Sequence, residues 1–355
     1  MSKSVPSSIT KTAPRHARKL AKHDKVLRVI VIGLGVQSQK DHIPAILRRK
    51  DLEIVALVDN NDRVLSECNE VIGTKSFQKV RDAVRDTRPD LAIVSVPHDQ
   101  YFEILEILAS NRIATLKEKP FAVTYAEASE IISLYKIHDT YLQVCVQRRF
   151  SRLYETTKKL LESIGNVHSV SVEYSLNLNA HDMASGWRAN RLVSGGGAAL
   201  DMGYHSIDLL TYVFGAPDKV YAQLSYNSLG GDYSIDDTMK AMMTYADGKI
   251  NANVTVTKIS NRKSESIRIY GSEGSVLVDG RTVCLYDKDS NEVESHSFNS
   301  KQHEVDEQLD QFIDACMQDK GLDTKDQNFI DQLSNMRTID AIYKSHASGK
   351  VMNLR

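Results

Sequence analysis

Cysteine occurs only four times in 355 residues and tryptophan once. Cys68, Cys145, Cys284 and Cys316 stand far apart, with no Cys-x-x-Cys pair. That excludes the usual zinc and dithiol spacings, so no metal is expected, and free thiols in a reducing cytoplasm are the simplest reading. No apolar run approaches the ~18–20 residues of a membrane helix, which argues against a membrane partner. The net charge is only −1, so the chain as a whole is no polyanion binder and no nucleic-acid partner is expected. What remains is 41% hydrophobic and 26% charged, the ordinary composition of a globular protein. At about 150 residues per domain, two domains are expected.

The first 25 residues hold seven Lys/Arg and almost no large apolar side chains. They lack the apolar core of a secretory signal and read as a disordered basic tail, residues 1–25. From Val26 the texture changes. Val26 to Ile32 is a buried-strand pattern, followed by Gly33-Leu34-Gly35 and a helical stretch through Ile43 to Leu47. A second strand, Leu52 to Val58, ends at Asp59. Leu91–Val96, Ile113–Leu116 and Tyr141–Val146 read as further strands; Tyr101–Ser110 and Tyr125–Ile137 read as helices. This alternation predicts a parallel sheet with helices on both faces over residues 26–147, a Rossmann dinucleotide-binding domain in an α/β protein.

The cofactor signal is the order strand, Gly33-x-Gly35, helix, strand, acid. The glycines permit a tight turn and close backbone approach to a pyrophosphate, with Val36 and Gln37 opening a helix whose N-terminus favours anions. Asp59 lies 24 residues past Gly35, where a carboxylate accepts hydrogen bonds from a ribose and repels a 2′-phosphate. Asn60 and Asn61 follow it, with no arginine, so NAD is expected rather than NADP.

After Phe150 the pattern predicts a helix over Leu153–Ser163. Strands follow at Val167–Asn179, Lys219–Leu229, Asp237–Tyr245, Lys249–Ile259, Ser266–Tyr270, Ser275–Val278 and Thr282–Tyr286. A helix from Asp201 to Val213 interrupts them, and helices around Val305–Cys316 and Gln327–Ser345 close the chain. Residues 148–324 thus read as an α+β domain with a large, mainly antiparallel sheet, and the C-terminal helix, about 325–346, is expected to pack back on the first domain.

Glu118-Lys119-Pro120 falls at the ligand end of the first sheet. Proline holds Lys119 in extended geometry, from which its ammonium projects to hold a substrate hydroxyl. Ser194-Gly195-Gly196-Gly197 leads to Asp201 and His205, four apart on one expected helical face. Histidine is the natural general base, since its ordinary pKa lies near neutrality. Asp201 is expected to orient that imidazole or to bind a neighbouring hydroxyl. Trp187 with Arg188, near His181, suits a sugar or a phosphate, although a loop tryptophan also serves in packing. Pro97-His98 follows a strand at the cofactor end and is expected beside the nicotinamide, an ordinary turn being the alternative. Arg149, in Gln147-Arg148-Arg149-Phe150, either reaches the cleft as a substrate contact or makes a structural ion pair.

Gly33-x-Gly35, Asp59, Glu118-Lys119-Pro120, Gln147-Arg148-Arg149-Phe150 and Gly195-Gly196-Gly197-x-x-x-Asp201-x-Gly203-x-His205-x-x-Asp208 together resemble the glucose–fructose oxidoreductase/inositol dehydrogenase (Gfo/Idh/MocA) family. The resemblance spans roughly residues 26 to 350. It implies that Lys119, Asp201 and His205 match the catalytic set, that the Lys119–Pro120 bond is cis, and that the large sheet makes homodimer or homotetramer contacts. Two positions depart from the family pattern: Ser38 stands where many members have Gly or Ala, and Tyr101 where many have His. The function these readings imply is NAD-dependent oxidation or reduction at a secondary hydroxyl of a sugar, a phosphate- or nucleotide-linked sugar, or a cyclitol. A redox-neutral NAD-dependent glycosidase or lyase and a non-catalytic NAD-binding sensor are the alternatives.

Overall fold

The computed structural model describes residues 26–298, 302–318 and 327–354; the basic tail expected over residues 1–25 lies outside them. Six strands, β1 (Leu27–Ile32), β2 (Leu52–Val58), β3 (Lys75–Phe77), β4 (Leu91–Val94), β5 (Ala114–Lys117) and β6 (Leu142–Val144), form one parallel sheet in the order β3-β2-β1-β4-β5-β6. The order reverses between β1 and β4, and ligands of such sheets bind in the crevice outside that switch point. β1 is buried at every position but Arg28, whose guanidinium donates to the Thr87 carbonyl at 2.7 Å. β3 is short and mostly exposed, so it carries no apolar pattern by which a sequence would reveal it.

The second sheet has nine strands: β7 (Val167–Asn177), β8 (Lys219–Tyr226), β9 (Asp236–Tyr245), β10 (Ile250–Thr257), β11 (Ile259–Gly271), β12 (Gly274–Asp279), β13 (Thr282–Asp287), β14 (Glu292–Ser297) and β15 (Met352–Asn353). Their order is β14-β13-β12-β11-β7-β10-β9-β8-β15. Every pairing is antiparallel except β7 with β10. The helices Arg152–Leu160, Gly203–Phe214 and Gln327–Ser348 pack against this sheet. Alternate residues such as Met242 stay exposed.

Two elements depart from the expected plan. The helix that closes the first domain is Gln302–Met317, which sets Val305, Leu309, Phe312 and Ile313 against Val29, Val31 and Leu57 and pairs Asp306 with Arg48 and Asp310 with Arg49. The last helix, Gln327–Ser348, packs chiefly on β8 and on Gly203–Phe214, and it touches the first domain through Tyr125–Ile137. Its buried polar side chains explain the choice. Ser345 accepts from the Ala222 amide at 2.9 Å and Asn335 donates to Asp208 at 2.7 Å, both partners belonging to the second domain. The helix expected from Asp201 is also not continuous: Ala198–Met202 forms a wider π-helical turn before the α-helix Gly203–Phe214.

Candidate functional site

A cleft of about 950 Å³ opens at the switch point and runs from Asp59 and Asn60 past Gly33–Gln37 to Pro97, His98, Glu118, Lys119, Trp187, Arg188 and His205. The glycine turn is built from two unlike positions. Gly33 has φ +82°, and a Cβ there would lie 2.2 Å from the Ser95 carbonyl oxygen, so only glycine fits. Gly35 faces open space: a Cβ would meet nothing within 4 Å, which leaves its backbone approachable from the cleft. The chain enters a helix at Val36, which lines the same space, and the first N–H groups of a helix have no intrahelical partner. Asp59 ties the parts together, accepting from the Leu34 amide at 2.7 Å and the Asn61 amide at 2.9 Å. Each carboxylate oxygen retains a lone pair for a ribose hydroxyl. An open cradle, a helix start and an acid at the end of β2 fit a dinucleotide.

Ser38 is fully buried and donates to the Gly33 carbonyl at 2.5 Å, so the hydroxyl is spent on the glycine turn. Tyr101 is also buried, and the Lys117 ammonium sits 3.6 Å above its ring centroid. Lys117, which the sequence did not single out, donates to the carbonyls of Glu118 (2.8 Å), Pro120 (2.5 Å) and Phe121 (2.9 Å). It thereby holds the loop that presents Lys119, in which the Lys119–Pro120 bond is cis. Burial lowers the Lys117 pKa to about 7.

Behind that loop Glu118 bonds His42 Nε2 at 2.8 Å. Burial pushes the Glu118 carboxyl up, but the His42 hydrogen bond and charge, with Lys119 and Lys117, outweigh it and hold the group below its ordinary value. Cys145 completes a buried trio with His42 and Glu118, one ligand-type atom from each lying within 4.8 Å of the others. His42 is already committed to Glu118, and Lys117 adds a positive charge nearby, which suits a structural network rather than a bound cation.

Lys119 and Asp201 meet across the domains. Lys119 Nζ donates to both the carbonyl and Oδ1 of Asp201, each at 2.9 Å. Oδ2 of Asp201 takes Lys258 Nζ at 3.1 Å, and Arg188 Nε stands 3.6 Å away. Burial would raise the Asp201 carboxyl; Lys119, Lys258 and Arg188 outweigh it and hold the group well below the usual carboxylate range. Asp201 therefore pairs with three cations, partners that the sequence did not assign to it. Lys258 went unnoticed because the sequence absorbed it into the expected strand Lys249–Ile259, whereas the observed strand ends at Thr257.

His205 lines the cleft from the helix Gly203–Phe214. His98 is buried, bonds the Ser194 carbonyl through Nδ1 at 2.7 Å and packs on Tyr101 and Trp187. Burial depresses its pKa to about 3 against the opposing pull of Asp201 and the Ser194 carbonyl, so it is neutral at physiological pH. Trp187 and Arg188 line the same cleft, stacked with the guanidinium carbon 4.2 Å from the ring centroid.

Two expected substrate contacts lie elsewhere. Arg149 turns away from the cleft to Asp208 (2.6 Å) and Asp331 (2.8 Å), because two buried carboxylates there require a cation. His181 is exposed in the short helix Ala180–Met183 and is not among the cleft-lining residues.

A switch-point dinucleotide crevice that ends in a Lys–Asp pair and a histidine from a second domain defines a two-domain, NAD-binding oxidoreductase. The chain belongs to the Gfo/Idh/MocA oxidoreductases: the description "Oxidoreductase family, NAD-binding Rossmann fold" matches residues 27–146 and "GFO/IDH/MocA C-terminal domain" matches residues 154–277. NAD is the cofactor of this first domain. The chain is 26% identical over 255 residues to the uncharacterized oxidoreductase YhhX of Escherichia coli K12, covering 71% of each. Its fold matches that of the WlbA dehydrogenase from Bordetella pertussis, solved with NADH and UDP-GlcNAcA (TM-score 0.79, 22% identity, 93% of this chain and 99% of that one). It also matches a levoglucosan dehydrogenase solved with NADH and levoglucosan (TM-score 0.81, 19% identity, 92% and 99%).

Proposed function

We propose that the protein is an NAD-dependent dehydrogenase or ketoreductase acting on a secondary hydroxyl or ketone of a sugar, sugar derivative or cyclitol. The observation that carries this reading is the state of Lys119. Its ammonium has three donors, of which two are fixed on Asp201. The third is left for a ligand oxygen in the cleft that Lys119 shares with His205.

When bound, NAD supplies the hydride acceptor at this end of the cleft, held by Gly33–Gln37, Asp59 and Asn60. Lys119 hydrogen-bonds the reacting oxygen and stabilises the negative charge that grows on it. His205 takes the hydroxyl proton, and in the reverse direction returns it to the ketone oxygen. Asp201 fixes the Lys119 ammonium in place. His98, kept neutral by burial, adds no competing charge beside the reacting carbon. Proteins of the same fold solved with levoglucosan or UDP-GlcNAcA support a polyhydroxylated substrate.

The test is incubation with NAD or NADP and a panel of free sugars, sugar acids, sugar phosphates, nucleotide sugars and inositols, read at the NADH absorbance band. A substrate-dependent rise with NAD is expected. Binding of NAD with a cleaved or eliminated sugar and no net NADH would replace this reading with the redox-neutral one.

A further inference from the structure

Three cations converge on one carboxylate at the reacting end of the cleft. Asp201 faces Lys119 at 2.9 Å, Lys258 at 3.1 Å and Arg188 at 3.6 Å. Among the described residues, no other carboxylate lies within ion-pair distance of these three side chains. The cluster therefore carries an excess of two positive charges in a partly enclosed place, where like charges repel more strongly than in water. Glu118 also borders the cleft and its charge acts on Lys119, but its hydrogen bond goes to His42 and it forms no ion pair with any of the three cations.

The three cations are not equivalent. Lys119 serves the reacting oxygen. Lys258 is buried and lies outside the cleft lining. Arg188 is the one that reaches a ligand: its side chain is 55% exposed, and its distance to Asp201 is too long for a hydrogen bond. Its planar fork of donors is thus uncommitted to that carboxylate, and the fork matches the geometry of a carboxylate or phosphate. The guanidinium is held over Trp187, which in turn packs edge-on against His98 at 4.7 Å. An arginine pre-oriented on an aromatic platform, in a cluster short of negative charge, is arranged to receive an anion.

We propose that Arg188, on its Trp187 platform, recognises an acidic substituent of the substrate, a carboxylate or a phosphate, so that the protein selects anionic sugar or cyclitol derivatives over neutral ones. The proposal rests on the reading of this cleft as a sugar-oxidising site.

The full chain saturated with NADH is titrated by calorimetry with D-glucuronate, D-galacturonate, D-glucose 6-phosphate and myo-inositol 1-phosphate. The neutral counterparts D-glucuronamide, D-glucose and myo-inositol run in parallel. NADH cannot oxidise a hydroxyl, so binding is read without turnover. At least one acid is expected to bind tenfold or more tightly than its neutral counterpart, and Arg188→Gln is expected to reduce that ratio to near one. The uronate and phosphate arms show which anion is taken. Neutral and acidic members binding alike, a preference that survives in Arg188→Gln, or no acid binding at 10 mM would each overturn the proposal. Oxidation of neutral sugars alone in a parallel assay with NAD would sink the anion site and leave the dehydrogenase reading intact. Tight acid binding with no oxidation of any panel member by NAD would do the reverse.

Discussion

The Lys119 ammonium of the first domain donates to both the backbone carbonyl and the Oδ1 oxygen of Asp201 in the second, each at 2.9 Å. This contact crosses the domain boundary at the point where the cleft ends, so it fixes the lysine relative to any substrate and joins the two domains. Asp201→Asn retains the shape but removes the one carboxylate that, among the described residues, faces these three cations. The variant is expected to lose about a hundredfold or more in kcat, on the scale of removing one positioned charge-stabilising group. Steady-state kinetics with the substrate found in the panel checks it.

Gly33 and Gly35 separate fold from function within one turn. Gly33→Ala places a methyl against the Ser95 carbonyl at a positive φ and is expected to destabilise the protein by about 3 kcal/mol, read by denaturant unfolding. Gly35→Ala meets nothing within 4 Å in the protein, so its unfolding midpoint should be unchanged. Its affinity for NADH should fall at least tenfold if, as proposed, the cofactor's phosphates approach the backbone there.

Asp59 is the acid expected to choose between the cofactors. Asp59→Ala removes the repulsion toward a 2′-phosphate together with two hydrogen bonds to the Leu34 and Asn61 amides. The ratio of kcat/KM for NAD over NADP is predicted to drop by an order of magnitude or more. An unchanged ratio would remove Asp59 from cofactor choice.

These residues, with Lys119, were legible in the sequence because each belongs to a short-range pattern. Gly33, Gly35 and Asp59 follow two buried strands, and Lys119 is marked by the proline after it. The Gly195–Gly197 run flags the segment bearing Asp201 and His205, and a Cβ on Gly197 would lie 1.9 Å from the Asp236 carbonyl. What escaped is long-range. Lys258 meets Asp201 across 57 residues, His42 meets Glu118 across 76, and Arg149 meets Asp331 across 182. No local periodicity encodes such partners, and for Arg149 the two carboxylates select the structural ion pair from the two alternatives the sequence left open. The exposed strands β3 and β14 were silent for another reason, since a strand without a buried face shows no alternation.

Lys117 holds three carbonyls and one ring from a fully buried position. Lys117→Met fills the same volume and leaves those carbonyls unpaired, at an expected loss of about 3 kcal/mol in unfolding free energy. Because burial lowers its pKa in the folded state to about 7 from 10.5, the unfolded chain binds the extra proton between those values. The wild type should therefore gain stability from this group as pH rises from 7 to 10.5, and Lys117→Met should lack that gain.

His98 makes the opposite end of the pH range informative. Its folded pKa of about 3 lies below the ordinary 6.5, so only the unfolded chain takes up this proton between those values. Stability should fall as pH drops from 6.5 toward 3, by up to about 1.4 kcal/mol per pH unit from this residue alone. His98→Asn, which keeps a donor for the Ser194 carbonyl, should show a shallower slope in urea melts taken across that range.

The most direct measurement is NADH formation from NAD and the panel substrate by the wild type, Lys119→Ala and His205→Ala, with NADH binding measured on each. The account predicts substrate-dependent NADH in the wild type and a fall of about 10²–10⁴-fold in kcat for each variant, the range expected of a positioned acid–base group, while both variants still bind NADH. Near-wild-type turnover by both variants would contradict it.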